Sequence, residues 1–298
     1  MRILITGSNG FVGSHWVQYC LENNINFLAT GSRHVWVHSS NSSNYSVMNL
    51  TDAPSINDIV ECYAPTIIVH AAALSKPDEC HTNRENALDI NVLGTDRLLQ
   101  AAKKLSHPVH FVYVSTDFVF GEDGPHSEEG TKNPLNFYGA TKLMAEQRVI
   151  ESGLPYTIIR PSFIYGKSMH GVRKDFLHAI LEQVRNGQPV NIVNDQFRTP
   201  TYIEDFCRGL HFIIQQNSTG IFHISGCNYL TPYQMVIEML EFLKIPNILI
   251  TPVTGENFKE PVVRAKKGGL NIQKAQRILH YEPTDFSEAL KLIFIGAK

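Results

Sequence analysis

No apolar run in the chain is long enough to cross a bilayer as a helix, so a membrane partner is not expected. Neither sign of charge dominates. Lys and Arg total 26 against 28 Asp and Glu, for a formal net charge of −2, which removes any global electrostatic case for nucleic acid. The five cysteines (Cys20, Cys62, Cys80, Cys207 and Cys227) are scattered and form no C-x-x-C pair. That excludes a disulfide framework and a zinc cluster as the organising feature. Cys80 and His81 are adjacent rather than at ligand spacing, and the 13 histidines contain no H-E-x-x-H, so no metal site is predicted. Internal repeats, low-complexity tracts and linker-like stretches are also missing. A strand-like run begins at residue 2 and leaves no room for a signal peptide, which makes the cytoplasm the expected compartment.

What remains is an ordinary globular composition of 43% hydrophobic and 18% charged residues over 298 positions, enough for a large core. Ile3-Leu4-Ile5 is a short continuous apolar run, the signature of a parallel strand buried on both faces. Gly7-Ser8-Asn9-Gly10-Phe11-Val12-Gly13 follows in G-x-x-G-x-x-G spacing, then a helical pattern from Phe11 to about Leu21. Glycines at a strand-to-helix turn let bare backbone approach a pyrophosphate at the helix N-terminus. A second strand is expected at Asn26–Thr30, ending at Gly31-Ser32-Arg33-His34. In a dinucleotide site an acid there would hold the ribose 2′-hydroxyl of NAD; none is present, and Arg33 with Ser32 suits the 2′-phosphate of NADP instead. A solvated surface arginine is the plainer alternative. NADPH is the predicted cofactor.

Residues 38–46 read as a polar loop and Val47–Leu50 as a third short strand. A helix is predicted over Ala53–Tyr63, capped near Thr51-Asp52, then a fourth strand over Thr66–His70. The small residues Ala71, Ala72 and Ala73 leave space for a flat ring or a ribose close to the backbone, and close helix packing would favour them equally. Asn86–Lys104 reads as one long amphipathic helix with Leu88, Val92, Thr95, Leu98, Leu99 and Ala102 on one side, and with Asn91 inside the apolar stretch needing hydrogen-bond partners. Val109–Val114 is the fifth strand. Strands alternating with helices imply an α/β fold, a doubly wound parallel sheet of the Rossmann type.

Ser115-Thr116-Asp117-Phe118 begins where the fifth strand ends, the edge at which open α/β sheets bind ligands. Asn136-Phe137-Tyr138-Gly139-Ala140-Thr141-Lys142 opens the next helix. Tyr138 and Lys142, four apart, share one helix face. An ammonium close to a phenol lowers its pKa and makes it a usable proton donor and acceptor near neutrality. Further on, Pro155–Arg160 is another strand, Pro161-Ser162-Phe163 a turn, and Val190–Val193 and Gly220–Ile224 are expected as the last strands of the sheet. Arg198, in Gln196-Phe197-Arg198-Thr199-Pro200-Thr201, suits a phosphate or a structural carboxylate equally. Arg264, Lys266 and Lys267 offer further cations, and helices are expected at Gln273–Leu279 and Phe286–Ile293.

The glycine turn, Ala71–Ala73, Thr116 and Tyr138-x-x-x-Lys142 occur in the order that resembles the extended short-chain dehydrogenase/reductases, over the whole chain. Ser115–Phe120 and Pro134–Lys142 resemble, within them, the dTDP-4-dehydrorhamnose reductases, which carry tyrosine where this chain has Phe118. The related 4,6-dehydratases follow Thr-Asp with a glutamate acid/base, a role Phe118 lacks. The resemblance implies an NADP-binding domain over residues 1–165 and a smaller substrate-binding α/β lobe over 166–298, partly interleaved with the sheet. It implies Thr116, Tyr138 and Lys142 as catalytic residues. Gly7 to Gly13, Ser32, Arg33, Ala71–Ala73, Asn91, Pro161 and Phe163 would contact the cofactor, and Asp117, Phe118 and Arg198 a nucleotide-sugar substrate. Asn91 would support a water-borne proton relay. A homodimer stays open. Two other readings share these motifs: a nucleotide-sugar epimerase that recycles its cofactor, and a non-catalytic NADP-binding subunit resembling the beta subunit of methionine adenosyltransferase.

Overall fold

The computed structural model describes residues 1–34, 36–38, 43–258 and 261–295. The first half runs β1 (Ile3–Thr6), α1 (Phe11–Glu22), β2 (Phe27–Gly31), β3 (Tyr45–Val47), α2 (Ala53–Tyr63) and β4 (Ile67–His70). It continues through α3 (Pro77–Thr82), α4 (Arg84–Leu88), a π-turn over Asp89–Leu93, α5 (Gly94–Lys103), β5 (His110–Val114), a 3₁₀ turn over Asp117–Val119, α6 (Phe137–Glu151) and β6 (Tyr156–Arg160). The second half contains β7 (Ile164–Tyr165), α7 (Phe176–Arg185), β8 (Val190–Val193), β9 (Thr201–Tyr202), α8 (Ile203–Gln215) and β10 (Gly220–His223). It ends with α9 (Pro232–Phe242), β11 (Ile250–Val253), α10 (Gly255–Phe258), α11 (Gln273–Leu279) and α12 (Phe286–Phe294).

Among the described residues the main sheet has seven strands in the order β10-β6-β5-β4-β1-β2-β3, with parallel pairing throughout. The alternation within β1 explains its two-sided burial. Ile3 and Ile5 join the core shared with Trp16 of α1 and Phe206 and Leu210 of α8, whereas Leu4 joins the opposite core with Ile56 of α2 and Leu98 of α5. Strand order reverses at β1, flanked by β4 and β2, and that switch opens a crevice at the carboxyl ends of the strands. The fold is therefore a doubly wound parallel sheet with a smaller C-terminal α/β lobe, and no helix of the described residues is long and apolar enough to cross a membrane.

The structure departs from the sequence-based expectations at three elements. Strand β3 is Tyr45–Val47, not Val47–Leu50, because Tyr45 pairs beside Ala29 while Met48 makes one last bond to Gly31 and turns away. Of the predicted 38–46 loop, residues 39–42 lie outside the described residues, and Tyr45 and Ser46 belong to the strand. Strand β8 does not join the main sheet: it pairs in parallel with β11, and β10 alone extends the sheet beyond β6. The predicted Asn86–Lys104 helix is interrupted by the π-turn at Asp89–Leu93. Elsewhere α2 and α11 occupy the predicted residues, and Asp52 caps α2 by accepting from the Ser55 amide.

Candidate active site

The glycine turn has a steric origin. Gly7 sits at φ +72°, and a Cβ there would lie 2.7 Å from the Ala72 backbone; one at Gly13 would lie 2.2 Å from the Gly7 carbonyl oxygen. The chain can fold this tightly between β1 and α1 only without side chains at these positions. The first turn of α1 carries no acidic residue, so its N-terminal amides keep their positive character toward the crevice, which suits a pyrophosphate. Asn9 braces the neighbouring strand end: its amide donates to the Tyr45 hydroxyl at 3.3 Å and its oxygen accepts from the Val37 amide at 3.2 Å. The Tyr45 hydroxyl in turn donates to the carbonyl of Arg33. Ser32 and Arg33 are exposed and line the crevice with Thr30 and Gly31, with no carboxylate among these residues.

Ala71–Ala73 is held from below by a buried relay. Thr6 Oγ1 accepts from the Ala72 amide at 3.2 Å and faces His70 Nδ1 at 2.7 Å; His70 Nε2 faces Thr95 Oγ1 at 3.0 Å, and Thr95 donates to the Asn91 carbonyl at 2.7 Å. Only one assignment satisfies every donor: Thr6 donates to Nδ1, and Nε2–H donates to Thr95. Burial pushes the His70 pKa down to about 3, which keeps the ring neutral. The Asn91 side chain accepts from the Leu74 amide at 2.7 Å and donates to the Leu74 carbonyl at 3.1 Å and to Thr141 Oγ1 at 3.0 Å. These bonds tie the π-turn to the loop after β4 and to α6.

Asn136 caps α6 by accepting from the Gly139 amide at 3.0 Å, which sets Tyr138 and Lys142 on the helix face toward the end of β5. Thr116 lies beside the Tyr138 hydroxyl in the same lining, and Thr116 Oγ1 donates to Asp117 at 3.2 Å and accepts from the Phe118 amide at 3.3 Å. The Phe118 ring packs edge-on to Tyr138, with centroids 5.6 Å apart. Lys142 is buried, donates to the Val114 carbonyl at 2.8 Å, and lies 4.1 Å above the Tyr113 ring. The expected depression of the Tyr138 pKa by Lys142 is absent. Burial raises the phenol above its ordinary value and drives the lysine from 10.5 down to about 7. The ammonium points at a backbone carbonyl, and its own charge is weakened by desolvation. Tyr138 is thus held protonated, the state a proton donor requires.

A single cavity of about 700 Å³ connects these parts. It brings together Gly7, Asn9 to Gly13, Ser32, Arg33, Ala71–Ala73, Thr116–Phe118, Tyr138, Lys142, Pro161 and Phe163. Ser8, Asn91 and Arg198 lie outside its lining. Ser8 is buried beneath the turn, its hydroxyl without a partner. Arg198 is buried and donates to the carbonyls of Phe197 at 2.6 Å and Ala265 at 2.8 Å and to Gln196 at 3.3 Å; it faces a small side pocket beyond Asp117 and Phe118. Phe163 takes φ +42°, strained for a phenylalanine, where Thr201 brackets the turn through the Ser162 amide and carbonyl. Arg173, Lys174, Asn49 and Leu50 also line the cavity, and sequence reasoning missed them because no local spacing marks them. Arg264 lines it too and reaches Asp78 at 3.2 Å, whereas Lys266 pairs outward with Glu256 at 2.8 Å.

A parallel doubly wound sheet, a glycine turn at its switch point, and Tyr138 and Lys142 beside Thr116 at the neighbouring strand end define an extended short-chain dehydrogenase/reductase. More narrowly, the chain belongs to the RmlD substrate binding domain family, which it matches over residues 1–296. It is 29% identical over 273 residues to methionine adenosyltransferase 2 subunit beta of Bos taurus, covering 89% of this chain and 78% of that protein. It is 24% identical to the spore coat polysaccharide biosynthesis protein SpsK of Bacillus subtilis, covering 86% of this chain and 84% of that one. Its structure superposes with a TM-score of 0.86 on a dTDP-4-dehydrorhamnose reductase of Clostridium acetobutylicum, at 25% identity and 99% coverage of both chains. The same enzyme from Bacillus anthracis, in complex with NADP, superposes at 0.82 and 25% identity, covering 99% of this chain and 98% of that one.

Proposed function

We propose that the protein is an NADPH-dependent reductase of a 4-keto nucleotide sugar, with dTDP-4-dehydrorhamnose, reduced to dTDP-rhamnose, as its first candidate substrate. The observation that carries this reading is that Tyr138, Thr116 and Lys142 share one continuous cavity with the glycine turn and with Arg33. The dTDP-4-dehydrorhamnose reductases it resembles supply the substrate class. In this reading residues 1–165 hold the cofactor and residues 166–298 most of the sugar nucleotide, in the cytoplasm.

When bound, the reduced nicotinamide supplies a hydride to the carbonyl carbon. The residues of the chain do the rest. Thr116 and Tyr138 converge on the position of the carbonyl oxygen, where negative charge develops as the carbon is attacked. Tyr138, kept protonated by burial, gives its proton to that oxygen. Lys142, bonded to the Val114 carbonyl, offers its remaining N–H groups to a ribose. Phe118 and Phe163 exclude water from the reacting centre.

The test is turnover of NADPH with a panel of 4-keto nucleotide sugars. Stoichiometric cofactor oxidation with one of them supports the proposal. Isomerisation without net oxidation would make the protein an epimerase. The likeness to methionine adenosyltransferase 2 subunit beta along 89% of the chain favours a second reading, a cofactor-binding regulatory subunit. Tight NADPH binding with no reduction of any carbonyl would support it.

A further inference from the structure

Beneath the proposed active site lies a charged cluster that the reaction as described does not use. Glu146 stands one turn beyond Lys142 on α6, and Arg160 ends β6; both are almost fully buried. The two form a bidentate pair, Nε to Oε1 at 2.8 Å and Nη2 to Oε2 at 2.6 Å. Ser115 Oγ donates to the same Oε1 at 2.5 Å. A buried ion pair is by itself weak evidence of stabilisation, since desolvating two charges offsets their attraction. Its placement is more telling. Glu146 belongs to the helix that carries Tyr138 and Lys142. Ser115 lies between Val114, whose carbonyl accepts from Lys142 at 2.8 Å, and Thr116. Arg160 precedes Pro161, which lines the cavity and whose carbonyl accepts from the Asp117 amide at 3.0 Å. One carboxylate therefore joins the three elements that meet around the reacting carbonyl.

We infer that Glu146 is a positioning residue: acting through Ser115 and Arg160, it fixes the height of α6 against the ends of β5 and β6, and so the spacing of Tyr138 and Lys142 from Thr116. The inference rests on the reductase reading for its kinetic consequence. Its contact geometry does not. Misplacement by a fraction of an ångström penalises a transition state held by several groups far more than it penalises ground-state binding.

Ser115→Ala is the discriminating variant. It frees β5 from Glu146 and leaves the Arg160 pair whole, so the fold survives. With the full chain and the sugar nucleotide found to turn over, we expect kcat to fall about 10-fold, with KM, the NADPH dissociation constant and the thermal midpoint within about twofold and two degrees of the parent. A purely structural cluster would leave kcat unchanged in this variant, and that result overturns the inference. Glu146→Gln keeps the shape and loses the charge, and should weaken NADPH at least about fivefold at a temperature where circular dichroism shows it folded, because the charged tie to Arg160 that seats α6, and Lys142 with it, against β6 is lost. Glu146→Asp should recover part of that loss. If the parent protein reduces no carbonyl, the reductase reading fails separately, and the NADPH affinities decide: weakening in Glu146→Gln with partial recovery in Glu146→Asp supports the positioning role, and parental affinity in both rejects it.

Discussion

Replacing Lys142 with methionine should make the protein more stable while removing its proposed activity. Burial drives the lysine from 10.5 in the unfolded chain to about 7 in the folded one. The folded value lies below the unfolded one, so between those two pH values the unfolded chain binds the extra proton. The resulting penalty is full below pH 7 and disappears above about pH 10.5. At about 1.4 kcal/mol per pH unit of depression, it amounts to about 5 kcal/mol at pH 6 and about 2 kcal/mol at pH 9. Methionine has a similar length and no charge. Its insertion sacrifices the bond to the Val114 carbonyl and the contact with the Tyr113 ring, together about 2 kcal/mol. Glu146 keeps its Arg160 partner, so no carboxylate is orphaned. The net expectation is a gain of about 3 kcal/mol at pH 6 that shrinks to roughly nothing at pH 9. Urea unfolding followed by circular dichroism at both pH values measures it. A variant less stable than the parent at pH 6, or a difference that does not change with pH, would refute the claim that Lys142 is held against its own desolvation.

Tyr138→Phe removes the proposed proton donor but keeps the ring against Phe118; kcat should fall about 10²-fold or more while NADPH titration by fluorescence stays at the parental affinity. Arg33→Ala should weaken NADPH by about 1–3 kcal/mol and leave NADH nearly unchanged, and equal affinities of the parent for both cofactors would reject the 2′-phosphate assignment. Gly13→Ala places a methyl group 2.2 Å from the Gly7 carbonyl, so calorimetry should show dinucleotide binding lost even where the chain still folds. An unchanged dissociation constant would show that the turn has more room than its geometry allows.

Much of this architecture was legible from local pattern. Ile3-Leu4-Ile5 and Ile67-Ile68-Val69 are continuous apolar runs because parallel strands are covered on both faces, and such runs are visible without partners. The glycine spacing, the absence of an acid beside Arg33, and the four-residue step from Tyr138 to Lys142 are local as well, and each reached the cavity. Strand β3 was misplaced because it lies at the sheet edge, where burial is partial and alternation weak. Strand β8 has the composition of a main-sheet strand; only its pairing with β11, some sixty residues later in the chain, assigns it elsewhere.

Sequence by itself determined the class of fold, the position of the glycine turn and the pairing of Tyr138 with Lys142 on one helix face, because periodicity, glycine sterics and helix spacing act over a few residues. Tertiary structure decided what those residues experience. Lys142 was expected to lower the Tyr138 pKa, yet burial governs both groups and works in the opposite direction on the phenol. Asn91 turned out to be engaged with Leu74 and Thr141, and Arg198 with the carbonyls of Phe197 and Ala265, while Arg173 and Lys174 came to the cavity unannounced. Desolvation and hydrogen-bond satisfaction are properties of an enclosed volume, and that volume exists only once distant segments have packed around it.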